Sequence, residues 1–82
     1  MMLNVGDLIP INGRQALVCF TSEYKDGHYI NVCFEDNDEY KVYEVKLVDK
    51  DLDLKAVTDV ELLKSLSAIW VAQELEGFEA NQ

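Results

Sequence analysis

The fold is decided by residues 16–34, which read ALVCFTSEYKDGHYINVCF. Apolar, aromatic and β-branched residues alternate with polar ones on both sides of the Lys-Asp-Gly cluster at 25–27. This pattern is typical of two antiparallel strands joined by a tight turn. The segment therefore predicts a β-hairpin, and the rest of the chain can be placed around it.

Two registers fit this hairpin. A two-residue turn at 26–27 pairs Lys25 with His28, whereas a three-residue loop at 25–27 pairs Tyr24 with His28 and Phe20 with Val32. A shift of one residue moves every side chain to the other face, so the apolar pattern decides between them. We favour the three-residue loop because it collects six residues on one face: Ala16, Val18, Phe20, Ile30, Val32 and Phe34.

The favoured register places Cys19 directly opposite Cys33, on the face away from those six residues. The β-carbons of such a pair lie about 4.5–5.5 Å apart, so a disulfide is geometrically accessible. Disulfides are rare in the cytosol, and we expect two reduced, half-buried thiols. Two cysteines without neighbouring histidines are too few for zinc, which takes about four ligands.

Polar clusters at 12–13, 25–27, 36–38 and 49–51 divide the first part of the chain. They predict a meander of five strands, near 7–11, 14–24, 28–35, 39–48 and 52–57. Asn12-Gly13 favours a type I′ turn, because both residues tolerate a positive φ. Pro10 has no amide hydrogen to donate, which places the first strand at an edge of the sheet.

The fourth predicted strand has apolar residues on both faces. The apolar positions change parity from Tyr40 and Val42 to Tyr43, Val45 and Leu47. Such a change predicts a β-bulge or a sharp bend in this strand. Both faces also need a cover, which a curling sheet and a C-terminal helix can supply.

A helix is predicted at 58–76. Residues 58–61, Thr-Asp-Val-Glu, form a capping box in which Thr58 is the N-cap and Glu61 reaches back. Two apolar rows follow at helical spacing: Val60, Leu63, Ser67 and Trp70, and Leu62, Leu66, Ile69 and Gln73.

Gly77 is the predicted terminator of this helix, since glycine is common just beyond helix ends. We expect Phe78 to pack back onto the helix end and the residues from Glu79 to Gln82 to fray. We expect Trp70, and two or three of Tyr24, Tyr29, Tyr40 and Tyr43, to pack in or beside the core.

These elements predict one α+β domain over residues 1–82, with an antiparallel sheet at 1–57, a helix at 58–76 and a frayed tail at 77–82. The sheet is a curved five-stranded meander, or a small SH3-like, partly closed barrel. The single C-terminal helix lies over one face or opening of it.

Charge narrows the classes of function. The 82 residues include seven Lys and Arg against sixteen Asp and Glu, giving a net charge of −9. This charge repels phosphate backbones and anionic lipids, so we expect neither nucleic-acid nor membrane binding. The chain has no apolar run of about 18 residues and starts without the features of a signal peptide, which predicts a cytoplasmic protein.

The sequence offers little chemistry for an enzyme. His28 is the only histidine, and its place beside Gly27 predicts a surface residue flanking a turn. Glycine-rich phosphate loops, His-x-x-x-His pairs and nucleophile elbows are missing from the sequence. We therefore expect no catalytic, cofactor or metal site, and a small-molecule or metal enzyme is the least favoured class.

Acidic residues accumulate in the second half of the chain. Residues 35–61 carry ten acids against four lysines, and 74–79 add three glutamates. The run at 35–39 lacks the ligand spacing of a calcium loop and predicts a solvated turn. The acidity serves solubility, or it forms a surface that meets a basic partner. For the second case the candidate contact residues are Glu35, Asp36, Asp38, Glu39, Tyr40, Asp49, Asp51 and Asp53.

The passage LDLKAV at 52–57, followed by TDVE at 58–61 and an amphipathic helix, resembles the YrzB-like proteins of low-GC Gram-positive bacteria. The corresponding residues are Leu54, Val57, Asp59 and Glu61. The resemblance implies a short, acidic, cytosolic bacterial protein. Members of that family usually have a longer acidic tail and an earlier tryptophan than Trp70. The family has no assigned activity, so no functional residue is transferred.

Together these patterns predict a small acidic, non-enzymatic adaptor or regulator that acts through contact with a basic protein. The alternative is a phage-encoded inhibitor of the anti-CRISPR or anti-restriction type, which mimics DNA and blocks a nuclease or another nucleic-acid enzyme. An exposed strand edge or helix face also leaves a homodimer open.

Overall fold

The computed structural model describes residues 3–80, with side chains as far as residue 76. It has five strands and one helix: β1 (Leu8–Ile11), β2 (Arg14–Tyr24), β3 (Gly27–Phe34), β4 (Tyr40–Val48), β5 (Asp51–Ala56) and α1 (Val60–Ala80). The strands form one antiparallel sheet in the order β1-β2-β3-β4-β5, which curls into a half-barrel. The predicted α+β meander is confirmed, and each strand boundary agrees with the prediction to within one residue.

Three of the four hairpins have two-residue turns with positive φ at both positions, which matches the right-handed twist of the strands. These turns are Asn12-Gly13, Lys25-Asp26 and Asp49-Lys50, and their φ angles lie between 47° and 79°. The predicted Asn12-Gly13 turn is confirmed. The prediction from Pro10 is confirmed as well, because β1 is an edge strand and Pro10 pairs with Gln15.

Both predicted registers of the β2–β3 hairpin are wrong. Tyr24 pairs with Gly27 and Glu23 with His28, so the turn is Lys25-Asp26. Lysine and aspartate accept the left-handed conformation here, and Gly27 serves as the first residue of β3.

A β-bulge in β2 then corrects the register for the core. Val18 pairs with Val32 but Phe20 pairs with Asn31, so Cys19 is the extra residue between them. An extra residue turns the following side chains to the other face. Five of the six residues predicted on one face are buried together, whereas Phe20 lies on the opposite face.

The predicted pairing of Cys19 with Cys33 is also wrong, because Leu17 is the residue opposite Cys33. Both thiols are free and half-buried. The bulge predicted for the fourth strand lies in β2 instead, since β4 pairs with β3 and with β5 in unbroken register.

Two apolar clusters cover the two faces of the sheet. The inner cluster fills the curl: Ile11, Ala16, Val18, Ile30, Val32, Phe34, Tyr43 and Val45. The outer cluster lies between the sheet and α1: Tyr29, Leu66 and Trp70, with Phe20, Tyr24, Val42, Val57, Leu62 and Ile69 around them. The prediction that the fourth strand is covered by the curl on one face and by the helix on the other is confirmed.

The helix begins at Val60, two residues after the predicted start at 58, and its N-cap moves by one residue. Asp59 is the N-cap, since its Oδ1 accepts the Glu61 N–H at 3.0 Å and its carbonyl accepts the Leu63 N–H at 2.9 Å. The predicted capping box with Thr58 as N-cap is therefore wrong. Aspartate caps as well as threonine does, and capping at Asp59 keeps Val57 extended, where its N–H donates to the Val42 carbonyl at 2.9 Å.

The helix also runs further than predicted, through Gly77 to Ala80. A glycine inside a helix costs about 1 kcal/mol but does not stop it, so Gly77 is not the terminator and residues 77–80 are helical. The predicted packing of Phe78 and the last two residues lie outside the described part of the chain. Leu66 and Trp70 are buried, but Val60 is 61% exposed and Gln73 is exposed, so the buried stripe is narrower than predicted.

Candidate protein-contact site

The eight predicted contact residues fall into two groups at opposite ends of β4. Glu35, Asp36, Asp38, Glu39 and Tyr40 lie at its start, whereas Asp49 follows its end and Asp51 and Asp53 lie on β5 beside its last three residues. A nine-residue strand spans on the order of 27 Å when extended. The predicted contact residues therefore do not form one surface, and the two groups must be treated separately.

The first group is the acidic turn, residues 35–39, which is closed by its own backbone. The Phe34 N–H donates to the Glu39 carbonyl at 2.8 Å, and the Asp38 N–H donates to the Phe34 carbonyl at 2.9 Å. The Asn37 Oδ1 accepts the Glu39 N–H at 3.0 Å. Because these bonds hold the chain in a tight loop, all five side chains of the acidic turn are exposed. The predicted solvated turn is confirmed.

Arg14 forms an ion pair with one of the four carboxylates of the acidic turn. Its guanidinium lies 4.0 Å from the centroid of the Phe34 ring and donates to both carboxylate oxygens of Asp36, at 2.8 and 2.7 Å. These hydrogen bonds hold the pKa of Asp36 below its ordinary value. The pair ties the acidic turn to the start of β2 and removes Asp36 from the charge available to a partner.

Glu39 is partly neutralised as well, because Lys41 Nζ lies 3.7 Å from its Oε1. Glu35 and Asp38 make no ion pair with any residue from 3 to 76. The acidic turn thus presents two carboxylates that are available to an outside cation, and sequence reasoning weighted all four equally.

Next to the acidic turn, four side chains form a row across the outer face of the sheet. Leu8 pairs with Leu17, Leu17 with Cys33, and Cys33 with Tyr40. Paired residues of an antiparallel sheet point to the same face, so these four form one row, called here the cross-strand row. Leu8 is 55% exposed, Leu17 37% and Tyr40 64%, and Cys33 is half-buried.

Tyr40 ends the cross-strand row and directly follows the acidic turn. Tyr40 pairs with Cys33 across the sheet, and the neighbouring Cys33 thiol raises the pKa of Tyr40. A tyrosine offers a large apolar ring and a hydrogen-bonding hydroxyl, and such residues are enriched in protein interfaces. Exposed apolar atoms and unpaired carboxylates therefore meet at Tyr40.

The second acidic group, near the end of β4, is less concentrated. Asp49 occupies the turn, and Asp51 and Asp53 are exposed on the edge strand β5. Asp53 pairs across the sheet with Lys46, whose Nζ lies 3.8 Å from Glu44 Oε1. Leu47 and Val48 are exposed beside this group, but they follow one strand and do not cross the sheet.

His28 is not the surface residue that the sequence predicts. It is half-buried, paired with Glu23 on β2 and with Val45 on β4, and both ring nitrogens are buried without a hydrogen-bond partner among residues 3–76. The reason is topological: β3 is the central strand, so neighbouring strands cover it on both sides.

A cleft of about 210 Å³ lies where β5 leads into α1, lined partly by Tyr29, Glu44 and Lys55. The Tyr29 hydroxyl donates to Glu44 Oε2 at 3.4 Å, and burial raises the pKa of Tyr29. This volume is below the roughly 300–1,000 Å³ of ordinary ligand pockets. Within residues 3–80, no three His, Cys, Asp or Glu side chains are grouped so that they could hold a metal ion. In the same range no helix has the length and apolar character needed to span a membrane.

Comparisons with protein-family models, curated proteins and solved structures find no match to this chain. The resemblance to YrzB-like proteins stays a prediction.

Sequence reasoning found Tyr40 and the acidic turn but missed Leu8 and Leu17. The signal for Leu8 was present, because an Asn12-Gly13 turn fixes its pairing with Leu17. The contact of Leu17 with Cys33 depends on the bulge at Cys19, which the alternation of apolar residues did not reveal.

Proposed function

We propose that this protein is a non-enzymatic adaptor or regulator that binds a basic protein through the acidic turn and the cross-strand row. The observation that carries the proposal is the position of Tyr40, which is 64% exposed and joins the end of the row to the acidic turn. Most of the energy of an interface comes from a few large residues surrounded by a polar rim.

The two parts of the surface have different roles. Glu35 and Asp38, together with the net charge of −9, attract a basic partner and orient it. Leu8, Leu17 and Tyr40 supply apolar surface that becomes buried on contact, which gives the complex its lifetime.

The alternative function is a DNA-mimicking inhibitor, which the net negative charge of the chain also fits. Such a mimic must present carboxylates along a continuous surface in place of a phosphate backbone. Here the predicted acidic residues are divided between the two ends of β4, and Asp36, Glu39 and Glu44 lie in ion pairs with the protein's own bases. This division favours contact through one patch.

The experiment is a pull-down from host lysate with three tagged baits: the wild type, Glu35→Lys/Asp38→Lys and Asp51→Lys/Asp53→Lys. The last two carry the same change of charge at opposite ends of β4. Each bait is washed at low and at high salt, and retained proteins are identified by mass spectrometry.

We expect a basic protein that is retained by the wild type and by the Asp51→Lys/Asp53→Lys bait. It should be lost from the Glu35→Lys/Asp38→Lys bait, and Tyr40→Ala should weaken it at both salt concentrations. Equal retention by all baits, or loss from both charge-reversed baits alike, would contradict this site.

A further inference from the structure

Half of β2 is an open edge of the sheet. β2 has eleven residues, but β1 pairs only with its first four, Arg14–Leu17. The Val18 carbonyl accepts the Gly6 N–H, and the Val18 N–H donates to the Asp7 carbonyl. From Phe20 to Tyr24, β2 pairs with β3 on one side and with no strand of residues 3–80 on the other.

This edge lacks the proline and the alternating charges of the other two edges, and α1 packs on its outer face against Phe20 and Tyr24. Proteins blunt exposed edges with proline or charged side chains, which discourage pairing with another chain. The β1 edge has Pro10, and the β5 edge alternates Asp51, Asp53 and Lys55. The open half of β2 reads Phe-Thr-Ser-Glu-Tyr, with one charge and three residues of high β propensity.

The helix leads towards this edge. Its start is anchored at β4, where the Val57 N–H bonds Val42, and it crosses the sheet until Trp70 stacks on Phe20 of β2. Residues 71–76 are all exposed, so α1 continues past its last contact with the sheet.

An acidic side chain, Glu23, lies on the open edge and is exposed, and the chain as a whole carries a net charge of −9. Two bases of the described chain are near this edge: Lys25 in the adjacent turn, and Lys64, which adjoins Ser65 of α1. An extended segment that binds at this edge would lie in a negative electrostatic field. Such a field favours a basic segment.

We propose that the open edge of β2, residues 20–24, binds an extended basic segment of a partner protein as an added antiparallel or parallel strand. Main-chain hydrogen bonds supply the pairing, and a lysine or arginine side chain of the segment meets Glu23. The proposal rests on the proposed function for the basic character of the partner, but it concerns a different surface. A second copy of this chain is disfavoured as the occupant, because each copy carries a charge of −9.

The probe is a capped six-residue peptide of alternating lysine and valine, titrated into the ¹⁵N-labelled protein. Binding is followed by amide chemical shifts and by hydrogen exchange. We expect slowed exchange at alternate residues within 20–24, and no effect from the matched peptide of alternating glutamate and valine. Glu23→Lys should weaken binding about two- to fivefold, as loss of a surface ion pair would. Asp53→Lys, the same change at the other open edge, should leave binding unchanged.

Exchange that stays unprotected at 20–24, or equal binding of both peptides, would overturn the proposal. Protection of these amides that grows with protein concentration, without peptide, would assign the edge to a second copy and would also overturn it. The Glu35→Lys/Asp38→Lys variant separates this inference from the proposed function. If the Glu35→Lys/Asp38→Lys variant stops peptide binding and Glu23→Lys does not, the acidic turn is the basic-peptide site and the edge is not.

Discussion

Trp70 of α1 stacks on Phe20 of β2, with ring centroids 5.9 Å apart and ring planes inclined by 21°. Phe20 faces the helix because Cys19 is an extra residue in β2; without this bulge the Phe20 side chain would point into the curl. One inserted residue therefore provides both the regular inner cluster and the platform on which the helix docks.

We expect Phe20→Ala to lower the free energy of unfolding by about 3 kcal/mol, at the low end for such changes because Phe20 is half-buried. Trp70→Phe should cost less, since it keeps a stacking ring and removes an N–H that is buried without a partner. Urea unfolding followed by circular dichroism measures both. The control is Val71→Ala on the exposed side of α1, which should stay within about 0.5 kcal/mol of the wild type. A Phe20→Ala value equal to that control would contradict the stacking contact as the anchor of the helix.

The sequence predicted the strands well because each turn carries its own local chemistry. It failed on the β2–β3 register because the prediction assumes that apolar and polar residues alternate without interruption along the strand. A bulge interrupts this alternation without changing the composition of the strand. The spacing of apolar residues along β2 predicts Phe20 on the inner face, whereas the structure places it on the outer face. Only the helix that packs over it, far along the chain, decides between the two.

We predict that replacing Lys25-Asp26 by Asn-Gly stabilises the protein by about 1–2 kcal/mol. Both positions have positive φ, 47° and 65°, where lysine is strained and Asn-Gly is favoured. Thermal or urea unfolding checks the prediction. Asn-Gly at the Asp49-Lys50 turn, with φ of 48° and 74°, should have the same effect and serves as a replicate. In a three-residue loop at 25–27 the change would add flexibility and destabilise, so a lower stability would contradict the observed register.

The two candidate N-caps of α1 can be separated by mutation. We expect Asp59→Ala to destabilise by about 1 kcal/mol, because the Glu61 N–H loses its acceptor. Thr58→Ala should stay within about 0.5 kcal/mol, as a change at an exposed position without a cap does. The measurement is urea unfolding of both variants. A larger loss for Thr58→Ala would restore the capping box expected from the sequence.

The candidate site was predictable in composition but not in shape. Acidic residues at 35–39 and at 49–53 look continuous along the chain, yet the length of β4 separates them in space. Sequence also does not show which acids are already paired. Arg14 lies 22 residues from Asp36, and only the β1–β2 and β3–β4 turns, brought to the same end of the sheet, bring the two together.

The Arg14–Asp36 pair gives the last prediction, a pH dependence. The hydrogen bonds from Arg14 lower the pKa of Asp36 in the folded state, so the pair adds stability above the unfolded pKa of about 3.9 and loses it as pH falls through the lower, folded value. The gain is small, because both side chains are partly exposed and solvent screens them. A ¹³C NMR titration should show Asp36 titrating below its ordinary value in the wild type and near it in Arg14→Gln. Added salt should raise the wild-type value towards that of the variant. An Asp36 pKa that is the same with and without Arg14 would show that the ion pair does not form in solution, and all four carboxylates of the acidic turn would then be available to a partner.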